Sequence, residues 1–128
     1  MTAAHRNRIR VRAGYRCEYC GLHEDDRSVI GFQIEHVIPK KHGGSNDASN
    51  LAYSCPTCNR HKGPNLAGID PQDGSLVPLF NPRTQDWEDH FEVLGSRIEG
   101  ITSIGRVTVL VLVMNGPEQV DRRTDREV

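Results

Sequence analysis

The sequence predicts a small α+β fold, and three observations carry that prediction. Two Cys-x-x-Cys pairs, Cys17–Cys20 and Cys55–Cys58, stand far apart in the chain. Between them, two short apolar segments flank a loop rich in Gly and Asn, the pattern of strand, loop and strand. Directly behind the second segment, Pro56 is placed to open a short helix that Gly63-Pro64 ends. With 36% apolar and 5% aromatic residues in 128, the core is expected to be modest. A staple beyond the core is therefore expected, and the four cysteines can supply it.

Residues 5–16 predict a basic helix ending at Gly14, because Arg8, Arg12 and Arg16 recur at helical spacing. A strand competes, since Ile9, Val11 and Ala13 alternate with arginines, but the helix is favoured. It leads into Cys17-Glu18-Tyr19-Cys20-Gly21, a tight turn that can present two thiolates. The glycine lets the backbone curl toward an ion. Residues 24–28 read as a polar turn. Residues 29–37 read as a strand with Phe32 and Ile34 on one face, Gln33 and Glu35 on the other, and His36 near its end. Pro39 to Asn50 is a loop, Leu51 to Tyr53 a return strand, and about 56–62 the helix.

Beyond Pro64, Pro71, Pro78 and Pro82 among Gly and Asp turn signals predict an irregular wrapping loop over 65–83. His90 to Val93 and Arg97 to Ile101 predict a hairpin joined by Leu94-Gly95-Ser96. Val107 to Met114 fits either a buried strand or a buried helix. Its β-branched residues favour the strand, and the helical alternative pairs it with a helix over 117–126. The whole, 1–128, is expected to be a single domain with a core at about 17–63 and an extension at 65–128.

A net charge of −1 does not by itself advertise a nucleic-acid partner. The distribution says more. Arg6, Arg8, Arg10, Arg12 and Arg16 precede the first acid, Glu18. From His36 to Gly63, Lys40, Lys41, Arg60 and Lys62 outweigh Asp47 alone, so a positive face can form. The longest apolar run is too short to span a bilayer, so no membrane partner is expected. No hydrophobic signal region follows Met1, and a cytoplasmic protein is expected.

In that compartment the four cysteines read as metal ligands before disulfides or a redox pair. Zinc takes four ligands tetrahedrally, and Cys17, Cys20, Cys55 and Cys58 would fill every position, so such a zinc is structural. Singly, a histidine in a strand or an asparagine before one is an ordinary structural residue. Glu35-His36, Asn50 and Asn59 stand together between and beside the two cysteine pairs, and that combination is different.

The runs C-E-Y-C-G, Q-I-E-H-V-I-P-K-K-H-G-G-S-N-D-A-S-N-L and C-P-T-C-N-R-H-K-G resemble the HNH endonuclease family closely over 17–63. Residues 65–128 resemble the C-terminal extension of one bacterial subgroup, with its G-I-D-P, L-F-N-P-R and W-x-x-H-F pattern. The resemblance implies a ββα-metal (His-Me finger) core, to which the residue pattern adds the zinc on four cysteines, an N-terminal helix and a C-terminal hairpin-plus-helix extension. It implies metal-dependent hydrolysis of DNA phosphodiester bonds. His36 would be the general base that activates water, and Glu35 with Asn59 would hold a divalent ion, Mg²⁺ or Mn²⁺. Asn50 would brace the loop that aims His36. Lys40, Lys41, Arg60, His61, Lys62 and the N-terminal arginines would contact phosphates. Asn59 stands where many members have histidine, and Glu35 where aspartate or histidine is frequent. The asparagine favours a hard ion over a softer one.

The DNA is expected to be double-stranded, and the size of the chain is compatible with action as a homodimer or with a partner protein. Two other readings compete. A zinc-stapled nucleic-acid-binding module would keep the cysteines and basic segments but would not need Glu35, His36 and Asn59 together. A protein-interaction domain would use Val107 to Met114 as its contact surface.

Overall fold

A computed structural model of the chain describes residues 1–26 and 30–127, with side chains through Thr124. Helix α1 spans Ala3–Arg12, and the Thr2 hydroxyl caps it by accepting from the His5 N–H at 3.1 Å. The helix inserts Ile9 into the core. Its arginines do the rest of the anchoring. Arg6 donates to the Phe32 carbonyl at 2.7 Å, Arg10 grips Glu24 at 2.8 Å, and Arg12 donates to the carbonyls of Ala48 and Leu51 at 2.9 and 2.6 Å. Arg16 donates to Gly21 O at 3.0 Å. These four arginines spend donors on loop carbonyls and a carboxylate of the protein itself, and only Arg10 is paired with a carboxylate.

Strand β1 (Gln33–His36) pairs antiparallel with β2 (Leu51–Ser54), placing Glu35 opposite Ala52 and His36 opposite Leu51. The strand expected over 29–37 is thus shorter, and Val29 lies outside the described residues, as do Arg27 and Ser28 of the polar turn. Two short 3-10 turns, Lys40–His42 and Ala48–Asn50, punctuate the connecting loop. Helix α2 (Pro56–Lys62) follows β2 directly, with Cys55 as its N-cap and Pro56 in its first turn. The ββα order is complete.

The wrapping loop expected over 65–83 is instead partly a hairpin, β3 (Ala67–Ile69) and β4 (Leu76–Pro78). Three-residue strands holding Gly68 and Pro78 carry little β signal of their own. What makes them pair lies further along the chain. A side chain at Gly68 would overlap Val107 and Val111, so the missing Cβ lets the hairpin press against the helix that follows, α3 (Ser103–Val111). Strands β5 (Phe91–Leu94) and β6 (Arg97–Gly100) form the expected hairpin, turning at Gly95 with φ +63°.

Helix α3 corrects the preference for a strand over 107–114. Thr102 caps it, accepting from Gly105 N–H at 3.1 Å, and the helix buries Val107 and Thr108 against the hairpins. Position-specific packing outweighs the β-branched composition of the run. Helix α4 (Pro117–Glu127) follows. Among the described residues no helix is long and apolar enough to cross a membrane.

These contacts can be tested at two points. A methyl at Gly100 would overlap the backbone of Gly105 and Arg106 where β6 meets α3. Gly100→Ala should lower unfolding free energy by about 1–3 kcal/mol in chemical denaturation. The Arg10 guanidinium, bonded to Glu24, holds that carboxyl below its ordinary range. The pair therefore stabilises fully above the ordinary Glu value of about 4.3 and is lost as pH falls through the lower folded value. Thermal unfolding across acid pH should lose part of this slope in Glu24→Gln, by a modest amount because Arg10 is partly exposed.

Candidate functional site

Two knuckles bring the cysteines together. In the first, Gly21 N–H returns to Cys17 O at 3.0 Å with Gly21 at φ +78°, and Cys20 N–H points at Cys17 Sγ at 3.5 Å. In the second, Cys58 N–H points at Cys55 Sγ at 3.3 Å across the first turn of α2. The first knuckle is tied to β2: Glu18 N–H donates to Tyr53 O at 2.9 Å, and Tyr53 N–H to the Glu18 carboxylate at 2.8 Å. All four cysteines are buried and unpaired by disulfides, and their sulfurs lie within 4.8 Å of one another.

That geometry fits zinc. Zn–S bonds of about 2.3 Å in a tetrahedron set sulfurs about 3.8 Å apart, and Cys20 Sγ lies 3.7 Å from Cys55 Sγ. Hydrogen bonds from Cys17, Cys20 and Cys58 hold the Cys55 thiol far below its ordinary range, while the same cluster pushes Cys58 up. A central cation would draw all four sulfurs into the thiolate form. With four thiolates there is no open position, and the ion staples without reacting.

A fifth participant has no signal in the sequence. Gln119, on α4, is fully buried, and its Nε2 lies 3.5 Å from Cys20 Sγ and 3.6 Å from Cys55 Sγ. N–H donors to thiolate sulfur offset the negative charge of such a centre. No spacing rule links a glutamine at 119 to cysteines so far upstream.

Beside the knuckles, the hairpin carries the remaining residues. In a strand, adjacent side chains leave by opposite faces, and β1 divides Glu35 from His36 accordingly. Glu35 is turned inward and 5% exposed. Its Oε2 accepts from the Tyr19 hydroxyl at 2.6 Å, and its Oε1 pairs with Lys62 Nζ. Burial pushes the Glu35 carboxyl up, opposed by the Lys62 ammonium and the Tyr19 hydroxyl. Burial also raises Tyr19 well above its ordinary value, aided by the carboxylate it faces.

His36 is half-buried at the opposite face, with Nε2 2.8 Å from Asn46 Oδ1. An amide oxygen only accepts, so this contact puts the ring proton on Nε2 and leaves the Nδ1 lone pair free. In the sequence Asn46 is one polar residue of the Ser45-Asn46-Asp47 loop, with nothing to distinguish it from its neighbours. Asn50 accepts from Ile38 N–H at 2.8 Å and donates to the carbonyls of Ile38 and Ser45 at 3.0 and 2.8 Å. These bonds close the loop after β1 on itself. A Cβ at Gly44 would strike the Ile38 carbonyl and the Asn50 amide, so only glycine lets the loop close this tightly. His42 joins the same loop to the chain beyond α2, Nε2 meeting Pro64 O at 3.1 Å.

Asn59 is half-buried on α2, with no side-chain hydrogen bond among the described residues. Lys40, Lys41 and Arg60 are exposed and pair with no carboxylate among the described residues. His61 is half-buried, 3.5 Å from Arg60 Nη2. Lys62 corrects the expectation of a phosphate contact: it is 2% exposed, and Nζ donates to the carbonyls of His36 and Val37 at 3.2 and 3.0 Å. Glu35, expected to hold a divalent ion with Asn59, is the partner of that ammonium. A carboxylate committed to a buried ammonium and a tyrosine does not fit an open, hydrated Mg²⁺ or Mn²⁺ shared with Asn59.

Residues 17–65 match the family model of HNH endonucleases. The chain is similar to the Septu protein PtuB of Bacillus thuringiensis, 29% identical over 109 residues. That alignment takes in 84% of this chain and 38% of the relative's length. No solved structure matches.

The zinc reading predicts that purified protein carries one zinc per chain by atomic absorption. Cys58→Ser should lose most of it, and chelator treatment should bring the melting temperature down sharply.

Proposed function

From an HNH endonuclease segment at residues 17–65, we propose that the protein is a nuclease hydrolysing DNA phosphodiester bonds, with double-stranded DNA as substrate. The observation that carries this reading is the His36 imidazole: Nε2 is committed to Asn46, and β1 sits between the zinc knuckles and a loop of free cations. With the ring proton on Nε2, the Nδ1 lone pair can take a proton from water. Water oxygen bonds to phosphorus and the bond to the 3′ oxygen breaks, leaving 5′-phosphate and 3′-hydroxyl ends. The water's proton passes to His36, and the departing 3′ oxygen takes a proton from solvent water. Asn46 fixes the tautomer, and Asn50 holds the loop that carries Asn46 and Ile38.

Lys40, Lys41 and Arg60 would position the backbone without reading bases. His61 beside Arg60 extends that patch. The HNH family implies a divalent ion, Mg²⁺ or Mn²⁺, that stabilises charge on phosphate. Asn59 has a free side-chain oxygen to offer it. Glu35, paired with the Lys62 ammonium, does not join Asn59 in holding it. The same filled carboxylate favours a second reading, a zinc-stapled DNA-binding module without turnover.

Plasmid cleavage in Mg²⁺ or Mn²⁺ separates the two. Wild type should cut and His36→Ala should not; equal activity in both would refute the base assignment, and binding without cleavage under either ion supports the module. Asn46→Ala should lower kcat by about 10-fold or more with zinc content intact. Lys40→Ala and Lys41→Ala should weaken binding evenly across sequences, each reducing the salt slope by about 1.

A further inference from the structure

We propose that Lys62 is the internal counter-cation of Glu35 and a positioning residue for His36, so that this carboxylate serves an ammonium group and not a catalytic divalent ion. A lysine on a surface helix normally runs its stem along apolar surface and keeps its head in water. Lys62, at the end of α2, does the reverse, with 2% exposure. Its Nζ meets three oxygens: Glu35 Oε1, the His36 carbonyl at 3.2 Å and the Val37 carbonyl at 3.0 Å. An ammonium has three N–H donors and no acceptor, so three surrounding oxygens satisfy it. Glu35 Oε1 is buried and takes no hydrogen bond from any other described group, which leaves the ammonium as its neutralising partner.

The two carbonyls carry the functional consequence. In a regular strand successive carbonyls point to opposite edges. One ammonium that holds both His36 O and Val37 O requires the chain to turn as it leaves β1, and that turn sets the direction of the His36 side chain. The clamp is anchored at both ends by the zinc knuckles. Tyr19, which donates to Glu35 at 2.6 Å, lies between Cys17 and Cys20, and Lys62 ends the helix that Cys55 caps and whose first turn holds Cys58. The knuckles therefore reach His36 through Tyr19, Glu35 and Lys62, although no cysteine is near the imidazole's partner Asn46 in sequence.

The test compares Lys62→Met, Glu35→Gln and the double variant, all zinc-loaded. The positioning arm rests on the nuclease reading; the thermal and ion-binding arms do not. Lys62→Met should lower the melting temperature, and Glu35→Gln in that background should raise it again, because it removes a stranded carboxylate. If Lys62→Met does not fold, a folded, zinc-loaded double variant reports the same coupling, and failure of the double to fold overturns it. Kinetically, Lys62→Met should lose about 100-fold in kcat with KM unchanged, and the double should recover part of that loss. Mn²⁺ affinity, read by calorimetry, should be the same in wild type and Glu35→Gln. Additive thermal shifts, or loss of Mn²⁺ binding in Glu35→Gln, would overturn the proposal. A wild type that cuts no substrate removes the nuclease reading and leaves the thermal and Mn²⁺ arms to decide the clamp.

Discussion

Four sulfurs gathered within 4.8 Å of one another are the constraint on which the rest of this chain depends. Their closure joins the turn after α1 to the start of α2 and so shuts a loop containing both strands of the ββ unit. A core of this size gains more from such a closure than from another buried methyl group, because the metal's binding free energy becomes folding free energy. The extension is drawn into the same centre. Gln119 reaches the sulfurs from α4, Trp87 Nε1 donates to Tyr19 O at 2.8 Å, and Arg83 pairs with Glu18. Residues beyond 65 therefore pack on the knuckles as well as on one another.

The cations of the chain divide into two populations, separated by what their donors meet. Arg6, Arg10, Arg12, Arg16 and Lys62 spend their donors on carbonyls and carboxylates of the protein itself. Lys40, Lys41 and Arg60 are left facing solvent around the loop that follows His36. A count of charges along the sequence adds the two together, although Arg10 and Lys62 are neutralised by carboxylates of the protein. The buried pair is also the more fragile, since removing one partner of such a pair costs roughly 3–5 kcal/mol by stranding the other. A phosphate contact on the rim would change binding and leave the fold alone.

The ββα order, the cysteine knuckles, the helix at 56–62 and the hairpin at 91–100 were legible because each is written in local chemistry: a proline at a first turn, a glycine where φ is positive, cysteines three positions apart. The hairpin at 67–78 and helix α3 were not. Gly68 has no local reason to be in a strand, and Val107 no local reason to be in a helix; each finds its reason in the other, across 39 residues of chain. At the site, Asn46 and Gln119 escaped for the same cause, because a lone amide in a loop or helix has meaning only through what it touches.

What the sequence by itself determined was the set of reactive groups and the order in which they come: thiols, then Glu35-His36, then Asn50, then thiols with Asn59. Residue type and spacing suffice for that, since they fix which side chains a turn or a helix can present together. What only the tertiary structure decided was which way each group faces. Adjacent strand residues leave by opposite faces, so Glu35 and His36, neighbours in sequence, enter different environments. Glu35 meets a buried ammonium from α2, and His36 meets an amide oxygen from the loop. Lys62, one more basic residue in the sequence, becomes an internal cation because the packing of α2 on the hairpin leaves its ammonium no water and three oxygens.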